Sequence, residues 1–400
     1  MIRISGYHAP ISPTGRRRRW AFSALAAVMT LSMGAPVFSA AATTYQEQRV
    51  ERRTFSAAAG ATVDVENLVG EVTVEGTASG EIEIVVTIHA ESGSLADAQT
   101  LLSSVVIEFD EDRNGVDVEV IFPVDRFDKF RYPQTGRGGF NNQTSYRNRR
   151  VTVTSRDDDD AVTLWVDIEI LVPPGIAADI ENKVGNVSAT GMQGEFNADT
   201  SSGDVTVRDG RGDVGVDTGS GDVTVTGYTG DVSADTGSGD VVIDNVTGEV
   251  SADTGSGDIS ITDVEAARVE ADTGSGNIEL ERVSGSIYAD TGSGDIIGRD
   301  ISGATTISAD TGSGDVRFAG DMSQIEQIEI DTSSGNVELT MTSVPGMRIT
   351  IETGSGSISV NLPGLTTITS RRNYFRGEVG DGGARVNIDT GSGSVRISSR

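Results

Sequence analysis

The sequence predicts an all-β fold: a parallel β-solenoid with rungs of about 18 residues and two short strands per rung, preceded by a small strand-rich cap with one short helix. Three observations predict it. Asp-Thr-Gly-Ser begins at Asp217, Asp235, Asp253, Asp272, Asp290, Asp310 and Asp389, with near-copies at Asp199, Asp331 and Glu352 and a worn copy, ENKVGNV, at Glu181. From 181 the starts advance by 18, 18, 18, 18, 19, 18, 20, 21 and 21, then by 37, about two periods. Within each unit, as in DTGSGDVTVTGYTGDVSA (217–234), apolar residues alternate with polar ones and glycines separate the alternating runs. Period-two alternation marks strands with one buried face, and glycine between them marks corners. One unit buries too little to offset its ordering entropy, whereas stacked units share a continuous core. At ~4.8 Å per step, ten or so rungs make a rod on the order of 50 Å long.

The N-terminus reads as a signal peptide over residues 1–41. Arg16 to Arg19 supply the charged region, Ala21 to Met33 the apolar run, and Ser39-Ala40-Ala41-Ala42 the small-residue cleavage site. The spacing does not distinguish general from twin-arginine export. Removing residues 1–41 deletes five Arg and no acid, taking the net charge from −29 to −34. No later stretch approaches the ~18 apolar residues of a membrane span, so no integral span is expected after processing. The chain is therefore expected to be exported to the periplasm, the cell surface or the medium.

Residues 43–176 read as a strand-rich cap. VENLVGEVTVEG (65–76) is a worn repeat with Glu66 in the Asp position, and EIEIVVTIHA (81–90) alternates as a strand. Ser94 is placed to cap a helix through Ser103 with Leu95, Ala98, Leu101 and Leu102 on its buried face. Asn114-Gly115 between two alternating runs signals a hairpin, and VTLWVDIEILV (162–172) alternates until Pro173-Pro174-Gly175 ends it. Residues 126–156 interrupt the acidity with eight Arg or Lys and interleaved aromatics, and their glycines and Asn pair predict an irregular loop. Residues 177–400 form the solenoid proper.

Composition narrows the chemistry. The chain has no Cys, which excludes disulfides, thiolate catalysis and Cys-ligated zinc. Of His8 and His89 only His89 survives processing, and on an alternating strand it is expected to be structural. Asp-Thr-Gly-Ser also carries the catalytic carboxylate of pepsin-like aspartic proteases, but those need two loops facing one cleft. Copies every 18 residues cannot build that. The Asp residues are expected instead to stack in columns, one through Asp217, Asp235 and Asp253, another through Asp222, Asp240 and Asp258. Their main expected roles are turn chemistry and solubility. The same six are the candidate calcium ligands, because stacked carboxylates repel unless a cation bridges them. No other cofactor is expected. Arg126, Lys129, Arg131, Tyr132, Arg147, Arg149 and Arg150 are the candidate partner-binding residues, suited to anionic envelope polymers or peptides rather than nucleic acid. The alternative is that the segment folds back on the acidic rod.

VENLVGEVTVEG, LVPPG before the array, the DTGSGDV units and the ending FRGEVGDGGARVNIDTGSGSVRI (375–397) resemble the bacterial putative adhesin family of exported repeat β-strand proteins, a domain of unknown function. The resemblance covers most of the mature chain. It implies a non-enzymatic surface or envelope interaction module and supplies no catalytic residue to carry over. A polysaccharide-acting β-helix enzyme is the rival; those enzymes use longer rungs with long catalytic loops.

Overall fold

The computed structural model describes residues 44–56, 58, 60–133 and 139–400. The segment read as a signal peptide lies outside the described residues. Of the described residues, 65% are strand and 3% helix, the latter in a single helix.

Each rung is a pair of short strands on opposite sheets. Val214–Thr218 and Val223–Thr229 form one rung, Val232–Thr236 and Val241–Thr247 the next, each strand parallel to its copy one period away. Val214 stacks on Val232, Val250, Val269, Ile287, Ile307, Ile328 and Val386 in one buried column. Burying each such side chain contributes about 1.5–3 kcal/mol. The columns run the length of the rod, so no rung has to supply its own core. In two rungs one continuous strand, Ile259–Thr273 or Ile278–Thr291, runs through the corner and serves both sheets.

The ladder extends through the N-terminal region. Thr62–Val69 and Val72–Gly76 lie parallel to Ala177–Val184 and Val187–Thr190, with Glu66 opposite Glu181. One sheet then ends with Gly115–Ile121, parallel, and Val106–Asp112, antiparallel. The other continues through Val162–Val172, Glu81–Ser92 and Tyr45–Ser56. The helix Leu95–Ser104 packs on the last two of these strands, its N-terminus capped by Ser94, whose Oγ accepts the Asp97 N–H at 3.1 Å. Arg49 donates to the Leu102 and Val105 carbonyls at its far end. Ala98, Leu101 and Leu102 are buried as expected. Leu95 is exposed, because it lies on the first turn, ahead of the buried stripe.

The basic segment is more regular than its glycines imply. Lys129–Arg131 pairs parallel with Arg149–Thr154 and with the start of Val162–Val172, and Asn141–Tyr146 pairs antiparallel with Arg149–Thr154. Arg147 and Asn148 take φ of 49° and 61°, the consecutive left-handed pair of a two-residue hairpin turn. Polar residues on the outer strand hid the alternation. Residues 134–138, between these strands, lie outside the described residues.

At the far end, spatial order departs from sequence order. Ala384–Thr390 sits between Gln327–Thr332 and Met347–Thr353, and Val395–Ser399 sits between Val337–Ser343 and Ile358–Asn361. The final repeat is thus inserted beneath the one before it. The 37-residue gap holds an antiparallel hairpin, Leu365–Arg371 with Tyr374–Val379, the latter paired to Met347–Thr353. Every rung presents the same apolar and acidic columns, so the pattern fixes register without fixing the order of rungs.

Candidate interaction surfaces

The Asp of each Asp-Thr-Gly-Ser unit falls on one exposed column. In spatial order it runs Glu119, Glu66, Glu181, Asp199, Asp217, Asp235, Asp253, Asp272, Asp290, Asp310, Asp331, Asp389 and Glu352, each opposite the next on parallel strands. Crowding by the adjacent rungs partly desolvates these carboxyls, and neighbouring carboxylates add repulsion. Both effects push Asp217 and Asp235 upward in pKa; for Asp253 and Asp290 desolvation alone does so. Asp272 is raised furthest, to about 6, by desolvation and then by Asp290, Asp253 and Glu270.

The second column lies at a corner and does different work. The Asp222 carboxylate accepts the Asp240 N–H at 2.9 Å, Asp240 accepts Asp258 at 2.9 Å, and Asp258 accepts Asn277 at 2.7 Å. The chain of contacts begins at Asn186 and continues through Asp295, Asp315 and Asn336 to Ser394. Each side chain thus satisfies a corner N–H that the ladder leaves over. Asp213 and Asp231 do the same at the opposite corner, accepting the Asp231 and Glu249 N–H groups.

The threonine following each Asp forms a buried column, at the inward position that the alternation assigns to it. Thr254 Oγ1 donates to the Gly239 carbonyl at 2.8 Å and accepts the Gly257 N–H at 3.1 Å, and Thr273, Thr291 and Thr311 repeat both contacts in their own rungs. In the worn repeats Asn67 and Asn182 take this place, fully buried, with Asn67 Nδ2 donating to Asn182 Oδ1 at 3.1 Å. Constancy of Thr beside each Asp was the available signal. The second glycine of the motif has a packing cause: a Cβ on Gly239 would land on the Gly221 carbonyl oxygen.

Register therefore keeps the six candidate calcium ligands in two separate columns. Asp217, Asp235 and Asp253 stand on the sheet face, while Asp222, Asp240 and Asp258 stand at the corner. Among the described residues, no group of three or more His, Asp or Glu is placed to hold a metal ion.

The basic segment holds its charges against nearby acids. Lys129 pairs with Asp158 at 3.2 Å and Asp160 at 3.5 Å, Arg131 with Asp157 at 2.7 Å, Arg149 with Asp125 at 2.6 Å, and Arg147 with Glu119. Arg126 lies over the Phe127 ring, and Arg150 is exposed. Tyr132 is buried against Trp165 at 6.2 Å, with its hydroxyl pKa raised by desolvation, so its ring is not presented to a partner. Contact with the rod is made by Thr144, whose Oγ1 lies 3.1 Å from Ser201 Oγ.

His89 stacks on Trp165 with ring centroids 4.7 Å apart, and its Nε2 lies 3.1 Å from Asp167 Oδ2. Asp167 also accepts the Glu71 N–H at 2.9 Å, continuing the corner contacts into the N-terminal rungs. On the sheet face, a trough of about 350 Å³ runs over Asn197, Gly215, Ser233 and Ser251 and is closed by Arg268 and Glu270. The Arg268 guanidinium lies 3.8 Å over the Tyr288 ring. The trough is open and shallow.

No curated protein matches the chain significantly. Similar solved structures include a putative cell adhesion protein from Clostridium sporogenes, 12% identical, covering 88% of this chain and 100% of its own, with a TM-score of 0.20. Others are a putative adhesin from Bacteroides fragilis, at 10% identity, 87% and 97% coverage and 0.28, and a putative lipid binding protein from Parabacteroides distasonis, at 12%, 87%, 96% and 0.30. The model of the Toastrack DUF4097 family, a domain of unknown function, matches residues 209–398, which span the Asp-Thr-Gly-Ser array and the inserted final rung. That match covers 190 of the chain's 400 residues, a likeness confined to its C-terminal part.

Proposed function

We propose that the protein is a non-enzymatic, exported interaction module of adhesin type. Its long sheet face would engage surface polymers or other proteins through many weak polar contacts. The supporting observation is the in-register acidic column from Glu119 to Glu352, which repeats one exposed group at every strand spacing. A periodic face favours a periodic or extended partner, because each added contact becomes intramolecular once the first has formed. The basic segment is the weaker candidate surface, since Lys129, Arg131, Arg147 and Arg149 already pair with acids of the chain.

The test is co-sedimentation of the full chain with isolated cell-wall and capsular polymers, beside a variant carrying Asp235→Asn, Asp253→Asn and Asp272→Asn. Binding by the wild type that falls at least about tenfold in the variant supports the reading. No binding, or equal binding by both, contradicts it. Cell fractionation with N-terminal sequencing tests export. Cleavage near Ala40–Ala42 is expected, and an uncleaved cytoplasmic chain would contradict it.

The calcium-dependent rod shares this face. Crowded carboxyls with raised pKa favour it, because a bridging cation would relieve their repulsion.

A further inference from the structure

A pocket of about 310 Å³ opens where the strands Lys129–Arg131, Val162–Val172 and Glu81–Ser92 meet the helix Leu95–Ser104. Register builds its floor. Thr163 lies opposite Arg131 on one neighbouring strand and opposite Glu91 on the other. Cross-strand partners share a face, so a cation, a hydroxyl and a carboxylate stand in one row. Two strand spacings, about 10 Å, separate the backbones of Arg131 and Glu91. Both side chains are long enough to reach a molecule seated over Thr163. Leu101, Ala161 and Val162 add an apolar wall.

The polar groups of this row are left with capacity. Arg131 meets Asp157 at Nη2, 2.7 Å away, but its Nε is buried with no partner among the described residues. The Asp157 side chain is 93% exposed, so that ion pair is solvated and readily exchanged. Among the described residues, no ion pair or hydrogen bond engages the Glu91 carboxylate or the Thr163 hydroxyl. A buried guanidinium N–H without an acceptor is unfavourable, and a seated carboxylate would relieve it.

The lining also selects the kind of ligand. Arg131 suits a carboxylate, and Glu91, beyond Thr163, suits an ammonium group. A dianion such as phosphate meets repulsion from Glu91 in the pocket and from Asp157 beside it. The volume lies at the lower end of the range for ligand pockets, which limits the occupant to a small molecule.

We propose that this pocket binds a free aliphatic α-amino acid, with its carboxylate on Arg131, its ammonium on Glu91 and its side chain against Leu101 and Val162. The site lies on the sheet opposite the acidic column and is independent of any polymer held there.

Isothermal titration calorimetry of the full chain with leucine, valine and alanine tests this. At least one of them should bind saturably with a Kd below about 1 mM. For leucine as the ligand, N-acetylleucine lacks the ammonium and leucinamide the carboxylate, and each should bind at least about tenfold more weakly. Arg131→Gln and Glu91→Gln should each weaken amino-acid binding by a similar factor, with folding checked by circular dichroism. The analogues probe each charge on the unmodified protein, so they decide the matter should either substitution disturb folding. No saturable binding of the three amino acids would overturn the proposal. So would N-acetylleucine or inorganic phosphate binding as tightly as the amino acid, which would make the pocket a simple anion site, or unchanged affinity in folded Glu91→Gln.

Discussion

Asp272 and Asp290 stand opposite each other on adjacent parallel strands, and Asp290 is the largest charged contributor to the raised pKa of Asp272, after desolvation. Most groups with a resolved upward shift in this region belong to the same column, including Asp199, Asp217, Asp235, Asp253, Asp310 and Asp331. A carboxyl whose folded pKa exceeds its unfolded value binds protons more tightly when folded. Its stabilising contribution is complete below the unfolded value, 3.8 for Asp, and is lost as pH rises through the folded value, about 6 for Asp272. Asp158 and Asp263, lowered in pKa, act in the opposite sense but are fewer. The melting temperature should therefore be higher near pH 5 than near pH 8. Calorimetry across that range checks the sign.

Asp272→Asn removes one charge from the middle of the column and keeps the shape. It should raise the melting temperature at pH 8 more than at pH 5. A loss of stability at pH 8 would mean that the Asp272 carboxylate has a favourable partner.

The buried hydroxyl of Thr254 satisfies one carbonyl and one N–H from two rungs. Thr254→Val keeps the volume and leaves both unpaired, at a cost of about 1–3 kcal/mol. Thr254→Ser keeps the hydroxyl and should cost less, about 0.8 kcal/mol for the lost methyl. Urea titration of the two variants gives the order.

Gly239 is required by close backbone approach. Gly239→Ala drives a methyl onto the Gly221 carbonyl and should cost about 1–3 kcal/mol or more. Gly80→Ala is the control, since a Cβ there meets nothing within 4 Å, and it should stay within about 0.5 kcal/mol of wild type.

Much of this architecture was legible because the solenoid is periodic. The 18-residue spacing at Asp217, Asp235 and Asp253 becomes a one-strand step, and Glu66 falls in the Asp column despite the worn motif around it. What was not legible is what periodicity cannot encode. Equivalent rungs share one pattern, so nothing marked Ala384–Thr390 for insertion ahead of Met347–Thr353. The hairpin at Arg147-Asn148 carries a turn signal weaker than Asn-Gly, and its outer strand is polar until the buried Tyr146. Backbone needs also hide behind unlike residues: Asp209, Asn245, Asp263, Arg282 and Asp300 share a left-handed φ near 54° at one register position, where Gly227 stands in another rung.

The central claim is that neither carboxylate column is built around a cation: the corner column serves the backbone, and the sheet-face column stands exposed and repels itself. Thermal unfolding at pH 7.5 in EDTA, and in millimolar calcium or magnesium at matched ionic strength, tests it most directly. The account predicts that all three samples melt alike, and that each gains stability as sodium chloride is added, through screening. A large rise specific to calcium would contradict it and make Asp217, Asp235 and Asp253 ligands.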